Sequence, residues 1–487
     1  MSDDIQLFAK QKKIYPRRVW GTFRKLKWLS MITLLVIYYG APWLRWDRGE
    51  SSPSQAILID MAHTRAYFFG IEIWPQEVYY LTGILILAAV GLFFVTSLFG
   101  RVWCGYACPQ TVWTDLFVWV ERIVQGDRNA RKKLDESPWT FEKIRKKGLT
   151  HIIWILIGLC TGGAWVFYFN DAPTLLDQII HFDVPWSVGG WILGLTFSTY
   201  LMAGFAREQV CTYMCPYARF QSAMFDKDTL IIAYDEQRGE PRGKWKNLQA
   251  QLARSADRAS HEPANAALHS EDSSPSWEQQ KQGHCIDCDG CVAVCPMGID
   301  IREGLQMDCI ACGLCIDACD NVMEKIGLPK GLIRYDTESK KKFNPLRPRT
   351  FWYGGIISIV GCLMLYSLLT RSPLEINVIH DRNPLFVKLS DDSIRNGYNI
   401  TIINKHHEDK SYALSVEGLE NKEIRVQASS DIPAEHLPVF ANSVGHFRVF
   451  LTAKKQAEPR QEITFQLIEN GSNITQAKDT VFISEGR

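Results

Sequence analysis

Residues 285–296 read Cys-Ile-Asp-Cys-Asp-Gly-Cys-Val-Ala-Val-Cys-Pro, and residues 309–319 read Cys-Ile-Ala-Cys-Gly-Leu-Cys-Ile-Asp-Ala-Cys. The first stretch is the full C-x2-C-x2-C-x3-C-P run of two-cluster bacterial ferredoxins, and the second repeats its cysteine spacing. A cubane cluster takes four thiolates, three from one tight turn and the fourth from the other set. The spacing therefore assigns Cys285, Cys288, Cys291 and Cys319 to one [4Fe-4S] cluster, and Cys309, Cys312, Cys315 and Cys295 to a second. Paired zinc sites are the rival for short-spaced cysteines, but they do not use two interleaved sets of this kind. Asp320 stands where a proline follows the first set, which brings a carboxylate beside one cluster and removes no ligand.

Working outward, the chain has 487 residues, a formal net charge of +1, 14 Cys and 16 Trp, enough for several domains with aromatic side chains for membrane interfaces. The balanced charge argues against a nucleic-acid partner. The mean hydropathy is close to zero, so any membrane segments are diluted by polar domains. The start of the chain is basic and polar and lacks the pattern of a cleavable signal. Short-spaced cysteines in such a chain point to redox or metal chemistry rather than a disulfide framework.

Apolar runs long enough to cross a bilayer lie at Trp28–Trp46, Val78–Phe99, Leu149–Phe169, Ser187–Ala206 and Phe351–Thr370. That makes an α-helical membrane domain of about five transmembrane helices, with Pro42 interrupting the first run and Leu116–Val124 as a sixth, interfacial or re-entrant candidate. Basic residues crowd the segment before the first run (Lys12, Lys13, Arg17, Arg18, Arg24, Lys25, Lys27), the segment from Arg128 to Lys147, and the stretch Lys340, Lys341, Lys342, Arg347 and Arg349. The connection from Asn170 to Trp186 has no Lys or Arg. The positive-inside rule then puts the N-terminus and the Cys-rich module in the cytoplasm of a bacterial inner membrane, and the C-terminal region in the periplasm.

The expected organisation is a basic N-terminus (1–27), a membrane domain (28–225), a linker (226–282), the dicluster module (283–335), a basic linker (336–350), a last span (351–370) and a periplasmic domain (371–487). In that last domain, Leu385–Leu389, Tyr398–Ile403, Glu423–Val426, His446–Leu451 and Glu462–Leu467 are short β-rich runs separated by turn residues, the pattern of an immunoglobulin-like β-sandwich.

A second cysteine pattern is duplicated. Cys104-Gly-Tyr106-Ala-Cys108-Pro109 and Cys211-Thr-Tyr213-Met-Cys215-Pro216 each follow an apolar run and an arginine, Arg101 or Arg207. Proline favours the first helical position, so Cys108 and Cys215 are expected at helix starts, where the helix dipole and the arginine lower thiol pKa. If the repeats face each other, Cys104, Cys108, Cys211 and Cys215 surround a copper ion, a further cluster, or form reversible disulfides. Met202, Met214 and Met224 are candidate thioether ligands, and Met61 with His63 is a weaker copper-like pair. His284 reads as a surface residue, and Cys160 and Cys362 as packing residues of apolar helices.

These segments together resemble the FixG/RdxA/CcoG family of cytochrome c oxidase accessory proteins. The resemblance runs through Trp-Cys-Gly-Tyr-Ala-Cys-Pro-Gln at 103–110, Cys-Pro-Tyr-Ala-Arg-Phe-Gln at 215–221, Arg-Gly-Glu-Pro-Arg-Gly at 238–243, Cys-Pro-Met-Gly-Ile-Asp-Ile-Arg at 295–302 and His-Asp-Arg-Asn-Pro-Leu-Phe at 380–386. It implies a membrane ferredoxin that reduces Cu(II) to Cu(I) for assembly of a cbb-type oxidase, with oxidase subunits or copper chaperones as partners. On that reading the four C-x-Y-x-C-P thiols contact copper. Two rivals are a quinol-oxidising respiratory subunit and a non-catalytic assembly scaffold. No Gly-x-Gly-x-x-Gly follows a strand pattern, so the sequence supplies no nucleotide site of that kind and leaves the electron donor unnamed.

Overall fold

The computed structural model describes residues 13–49, 51–251, 253, 282–339, 343–427, 432–456, 458–472 and 474–485. Lys12, Lys340, Lys341, Lys342 and most of the expected linker lie outside them. The chain divides into two compact units, one of Met1–Leu44, Ile57–Tyr67 and Glu72–Leu363, the other of Arg45–Ala56, Phe68–Ile71 and Met364–Arg487.

In the first unit, four helical stretches are long and apolar enough to cross a membrane: Pro75–Phe99, Phe141–Val166, Trp186–Met214 and Pro348–Leu369. The fifth expected run forms a helix, α1 (Thr22–Gly40), that does not meet the same measure. Arg24, Lys25 and Lys27 fall in its opening turns, and the uncharged remainder, Trp28–Gly40, spans about 20 Å of helix. Between the spans, α2 (Val102–Tyr106) and α3 (Pro109–Gln125) turn the chain, and α3 contains the candidate interfacial segment. Cys160 and Cys362 are exposed on their helices, so they do not pack against protein as expected.

Charged side chains knit this unit where α1 and α3 meet. Arg24 makes two 2.9 Å contacts to the Asp115 carboxylate, with Lys27 3.9 Å away. Burial alone raises the Asp115 pKa, but Lys27 and Arg24 outweigh it and hold the carboxyl below its usual range. Glu121 on the next turns of α3 accepts from Arg131 at 2.9 Å and from Arg207 at 2.6 Å. Removing one partner of such a buried pair costs about 3–5 kcal/mol, because the other charge stays buried and uncompensated.

The Cys-rich module is built on α4 (Gly290–Val294), α5 (Leu314–Lys325) and a two-stranded antiparallel sheet, β1 (Leu230–Tyr234) with β2 (Ile333–Thr337). The sheet corrects the expected boundaries. Leu230–Tyr234 was expected within the 226–282 linker, yet its apolar run Leu-Ile-Ile-Ala-Tyr pairs with the far end of the module, and Ile232 and Ile333 are buried with Cys285 and Cys291. A single strand of this kind stays in solvent until its partner, about 100 residues later, covers it.

The module holds the start of α1. The first N–H groups of a helix have no partner within it; here the Asp317 carboxylate accepts from the backbone N–H of Phe23 (3.1 Å) and Arg24 (2.7 Å). Gly21 is required beside it, because a Cβ there would lie 2.2 Å from Asp317 Cγ.

The second unit is a β-sandwich. One antiparallel sheet runs β5 (Glu423–Gln427), β7 (Ser443–Lys454), β4 (Ser393–Asn404) and β3 (Leu374–His380), with the two-residue strand Val387–Lys388 also on β4. The other runs β6 (Leu437–Val439), Lys410–Glu417, Arg460–Glu469 and Thr475–Ile483. Alternating residues of both sheets fill one core in which Tyr398, Tyr412, Phe465 and Phe482 have no exposed surface. Four of the five expected strand segments fall within strands of this unit, and of Leu385–Leu389 only Val387–Lys388 is strand. Its boundary is wider than 371–487, since Arg45–Ala56 belongs to it and Asn442 Nδ2 donates to Ser52 Oγ at 2.7 Å.

Asp317→Ala leaves the first N–H groups of α1 without an acceptor, so it is expected to destabilise the protein by about 1–2 kcal/mol. Thermal unfolding in detergent reads the loss, and hydrogen exchange localises it: protection should fall in residues 22–28. Unchanged protection there would show that Asp317 does not cap the helix.

Candidate functional site

The two ferredoxin turns bend in the same way. Asp287 and Asp289 flank Cys288 with φ of 48° and 51°, and Ala311 and Gly313 flank Cys312 with φ of 51° and 72°. Left-handed backbone on both sides of the middle cysteine curls each C-x2-C-x2-C set around one point. For a residue other than glycine it costs about 1–2 kcal/mol. Arg302 steadies the first turn through Asp287 (2.8 Å), Asp289 (2.7 Å) and Asp300 (2.6 Å).

Each turn closes over its own cavity. One is lined by Cys285, Cys288, Cys291 and Cys319, the other by Cys295, Cys309, Cys312 and Cys315, with Cys291 at its edge. Among the described residues no three His, Cys, Asp or Glu converge at single-ion distance. The donor chemistry and the cavities therefore fit two [4Fe-4S] clusters. Asp320 turns to the backbone and accepts from Gly331 N at 2.9 Å. His284 is buried, against the expectation of a surface position, because Arg238 Nε donates to its Nδ1 at 3.0 Å.

The duplicated motif forms a separate cavity of about 260 Å³ that all four of Cys104, Cys108, Cys211 and Cys215 line. Cys108 and Cys215 are the residues immediately before helices that begin at Pro109 and Pro216. The four thiols face one space but do not close on a single ion. Met297 and Met307, next to the ferredoxin turns, line the same wall; Met202, Met214 and Met224 are not part of it. Only their placement two residues from Cys295 and Cys309 marks these methionines in the sequence. His63 Nδ1 is 2.7 Å from Asp60, while the Met61 side chain is exposed.

The Cys104 thiol is largely buried. Burial, with Cys108 adding to it, pushes its pKa up to about 11, and the opposing pull of Gln221 and Arg101 is smaller. Arg101 spends its donors on carbonyl oxygens of Met307 and Ala218 instead. Gln221 is hydrogen-bonded to the Cys104 sulfur, with its Nε2 3.4 Å away.

The motif and the ferredoxin turn are in backbone contact. A Cβ on Gly105 would lie 2.7 Å from Ile310 O and 3.0 Å from Cys312 Cα, and the next residue, Tyr106, donates its hydroxyl to Cys312 O at 3.0 Å. Met297 and Ile310 line both the thiol cavity and the cavity of Cys295, Cys309, Cys312 and Cys315.

Apolar spans, a two-cavity cysteine module and thiols packed against it define a membrane-bound iron–sulfur electron-transfer protein. Comparison with known proteins agrees. Residues 364–485 match the family described as the IG-like fold at the C-terminal of FixG, residues 206–272 and 251–338 match a 4Fe-4S dicluster domain, and residues 81–126 match a 4Fe-4S binding domain. Protein RdxB of Cereibacter sphaeroides is 48% identical, with 92% of this chain and 90% of that protein aligned. Nitrogen fixation protein FixG of Rhizobium meliloti is 44% identical over 95% of this chain and 90% of its own. A crystal structure of a FixG-related protein from Vibrio parahaemolyticus, 24% identical, covers 24% of this chain and 99% of its own with a TM-score of 0.21. The chain belongs to the FixG/RdxA family.

Gly105→Ala forces the ferredoxin turn away from the motif, and such overpacking costs about 1–3 kcal/mol. The expected result is a lower unfolding temperature with faster hydrogen exchange at 307–315. Exchange equal to that of the parent would remove the close contact.

Proposed function

We propose that this protein reduces Cu(II) to Cu(I) in the thiol cavity, as a step in supplying copper to a cbb-type oxidase. Cys285, Cys288, Cys291 and Cys319 would hold one [4Fe-4S] cluster, and Cys295, Cys309, Cys312 and Cys315 the other. Bound clusters supply single electrons, the stoichiometry that Cu(II) to Cu(I) requires. The observation that carries the reading is the wall of Met297 and Ile310 shared by the thiol cavity and the neighbouring cluster cavity.

The cavity's chemistry favours the reduced ion. Cu(I) is soft and prefers thiolate and thioether, so Cys104, Cys108, Cys211 and Cys215 with Met297 and Met307 stabilise product over substrate. Cys104 starts protonated, so its proton must depart as copper binds.

For topology, the same reading keeps the ferredoxin module and both motifs in the bacterial cytoplasm and the β-sandwich in the periplasm. It gives α1 the fifth crossing: its first turn is held by Asp317 of the module, and the chain after it, Arg45–Ala56, joins the sandwich unit. The sandwich then offers a periplasmic surface to oxidase subunits or copper chaperones.

The test uses the anaerobically purified full-length protein, expected to contain about eight irons. After reduction and removal of excess reductant, Cu(II) is added and Cu(I) is read with a Cu(I)-specific chelator. The parent should form Cu(I) stoichiometrically with its stored electrons. A Cys104/Cys108/Cys211/Cys215→Ser variant with the same iron content should fall to the background rate. Equal rates for the two proteins exclude the thiol cavity as the copper site.

A further inference from the structure

A second cavity of about 310 Å³ lies in the first unit, away from the thiols and unused by the reading above. Its wall combines the aromatic Trp154 and Phe205 with His151, Glu121, Arg207 and Glu208. Trp154 is buried, whereas Phe205 is 51% exposed on the Trp186–Met214 span, so the cavity has an apolar flank on a membrane helix. The His151 and Phe205 rings stack with an interplanar angle of 12°, and Trp154 meets His151 edge-on at 90°. His151 Nδ1 is 3.0 Å from the Tyr200 hydroxyl. With Nδ1–H donated to that oxygen, Nε2 is left as a proton acceptor.

The backbone here is irregular in a way that helix packing does not require. The span is wound as π-helix at Met202–Ala206 and again at Val210–Met214, and between them Arg207 has φ of 36°. π-Turns and left-handed non-glycine residues cost energy and gather at functional sites. This distortion carries Arg207 into the cavity wall. Its Nε donates to Gly204 O and its Nη2 to Glu121, while Nη1 is buried with no acceptor among the described residues. A buried donor without a partner costs about 1–3 kcal/mol or more, so a ligand oxygen at that position is favoured. Arg207 and Glu208 also line a small adjoining cavity that Cys211 shares, which links this pocket to the thiol site.

We propose that this cavity binds a membrane quinol and is the entry point for electrons. The occupant must set a planar head group against this aromatic wall, beside Lys13 and Lys147 that also line the cavity, must offer an oxygen to Arg207 and a hydroxyl proton to a base, and must arrive along a membrane helix. A quinol meets all four requirements. Its oxidation, QH2 → Q + 2H⁺ + 2e⁻, breaks two O–H bonds: His151 Nε2 takes one proton, Glu208 the other, and two one-electron acceptors of the iron–sulfur class take the electrons. The proposal rests on the electron-transfer class of the protein and not on copper being the final acceptor.

The experiment uses full-length protein in lipid nanodiscs under nitrogen. Binding of decylubiquinone and of menadione is measured by quenching of tryptophan fluorescence. Electron entry is measured by bleaching of the iron–sulfur absorbance on addition of each reduced quinol. Two variants are compared: His151→Gln, which removes the base and keeps a hydrogen-bonding side chain, and Phe205→Trp, which fills the cavity. Iron and acid-labile sulfide content confirms that both fold with their clusters. Saturable binding by the parent, weakened about tenfold or more in both variants together with slower bleaching, is the expected result. Equal binding in all three proteins, no saturable binding by the parent, or a phospholipid retained in the cavity and not displaced by quinone would each overturn the proposal. Failure of Cu(II) reduction in the parent, with quinol binding intact, would remove the copper reading and leave this one standing.

Discussion

The absence of a side chain at Gly105 governs the spacing between the two cysteine systems. Backbone meets backbone there, at a distance no Cβ tolerates, and Tyr106 fastens the contact through Cys312 O. A larger residue would force the ferredoxin turn and the motif apart. The shared wall of Met297 and Ile310 exists because this contact closes the gap.

Around that contact the helical unit combines buried charges with apolar clusters such as Phe117, Val120, Trp154 and Ala203. Its spans are largely exposed to their surroundings, with none of the apolar stretch of Pro348–Leu369 buried in the protein, as expected for helices whose neighbour is lipid. Specific order comes also from Asp115 and Glu121, two carboxylates on one helix that gather Arg24, Arg131 and Arg207 from three distant segments. Glu121 also anchors the distorted stretch at Arg207, so an ion pair holds a backbone conformation that helix propensity alone would relax.

What the sequence reveals and conceals follows from the range of each signal. The cysteine spacings are local geometry, so the two sets of four and the helix starts after Cys108 and Cys215 could be read directly. Strands such as Tyr398–Ile403 were readable because their alternation reflects one buried face. Leu230–Tyr234 was not, since its partner lies about 100 residues away and nothing nearby announces it. The environment of Cys104 was not readable for a related reason: the sequence shows an arginine three residues away, but not that its guanidinium is committed to carbonyls or that the thiol is buried. Met297 and Met307 were missed because they reach the thiol cavity only through the tertiary contact at Gly105.

The cap on the first helix has a consequence for biosynthesis. Residues 22–40 leave the ribosome early, but the carboxylate that completes their first turn belongs to Asp317, 293 positions after Arg24 and between Cys315 and Cys319. The first helix is therefore finished by a segment made almost 300 residues later, inside the second cysteine loop. Completion of that first turn thus depends on the cysteine loop, and a chain whose loop fails to form carries a frayed helix at its start.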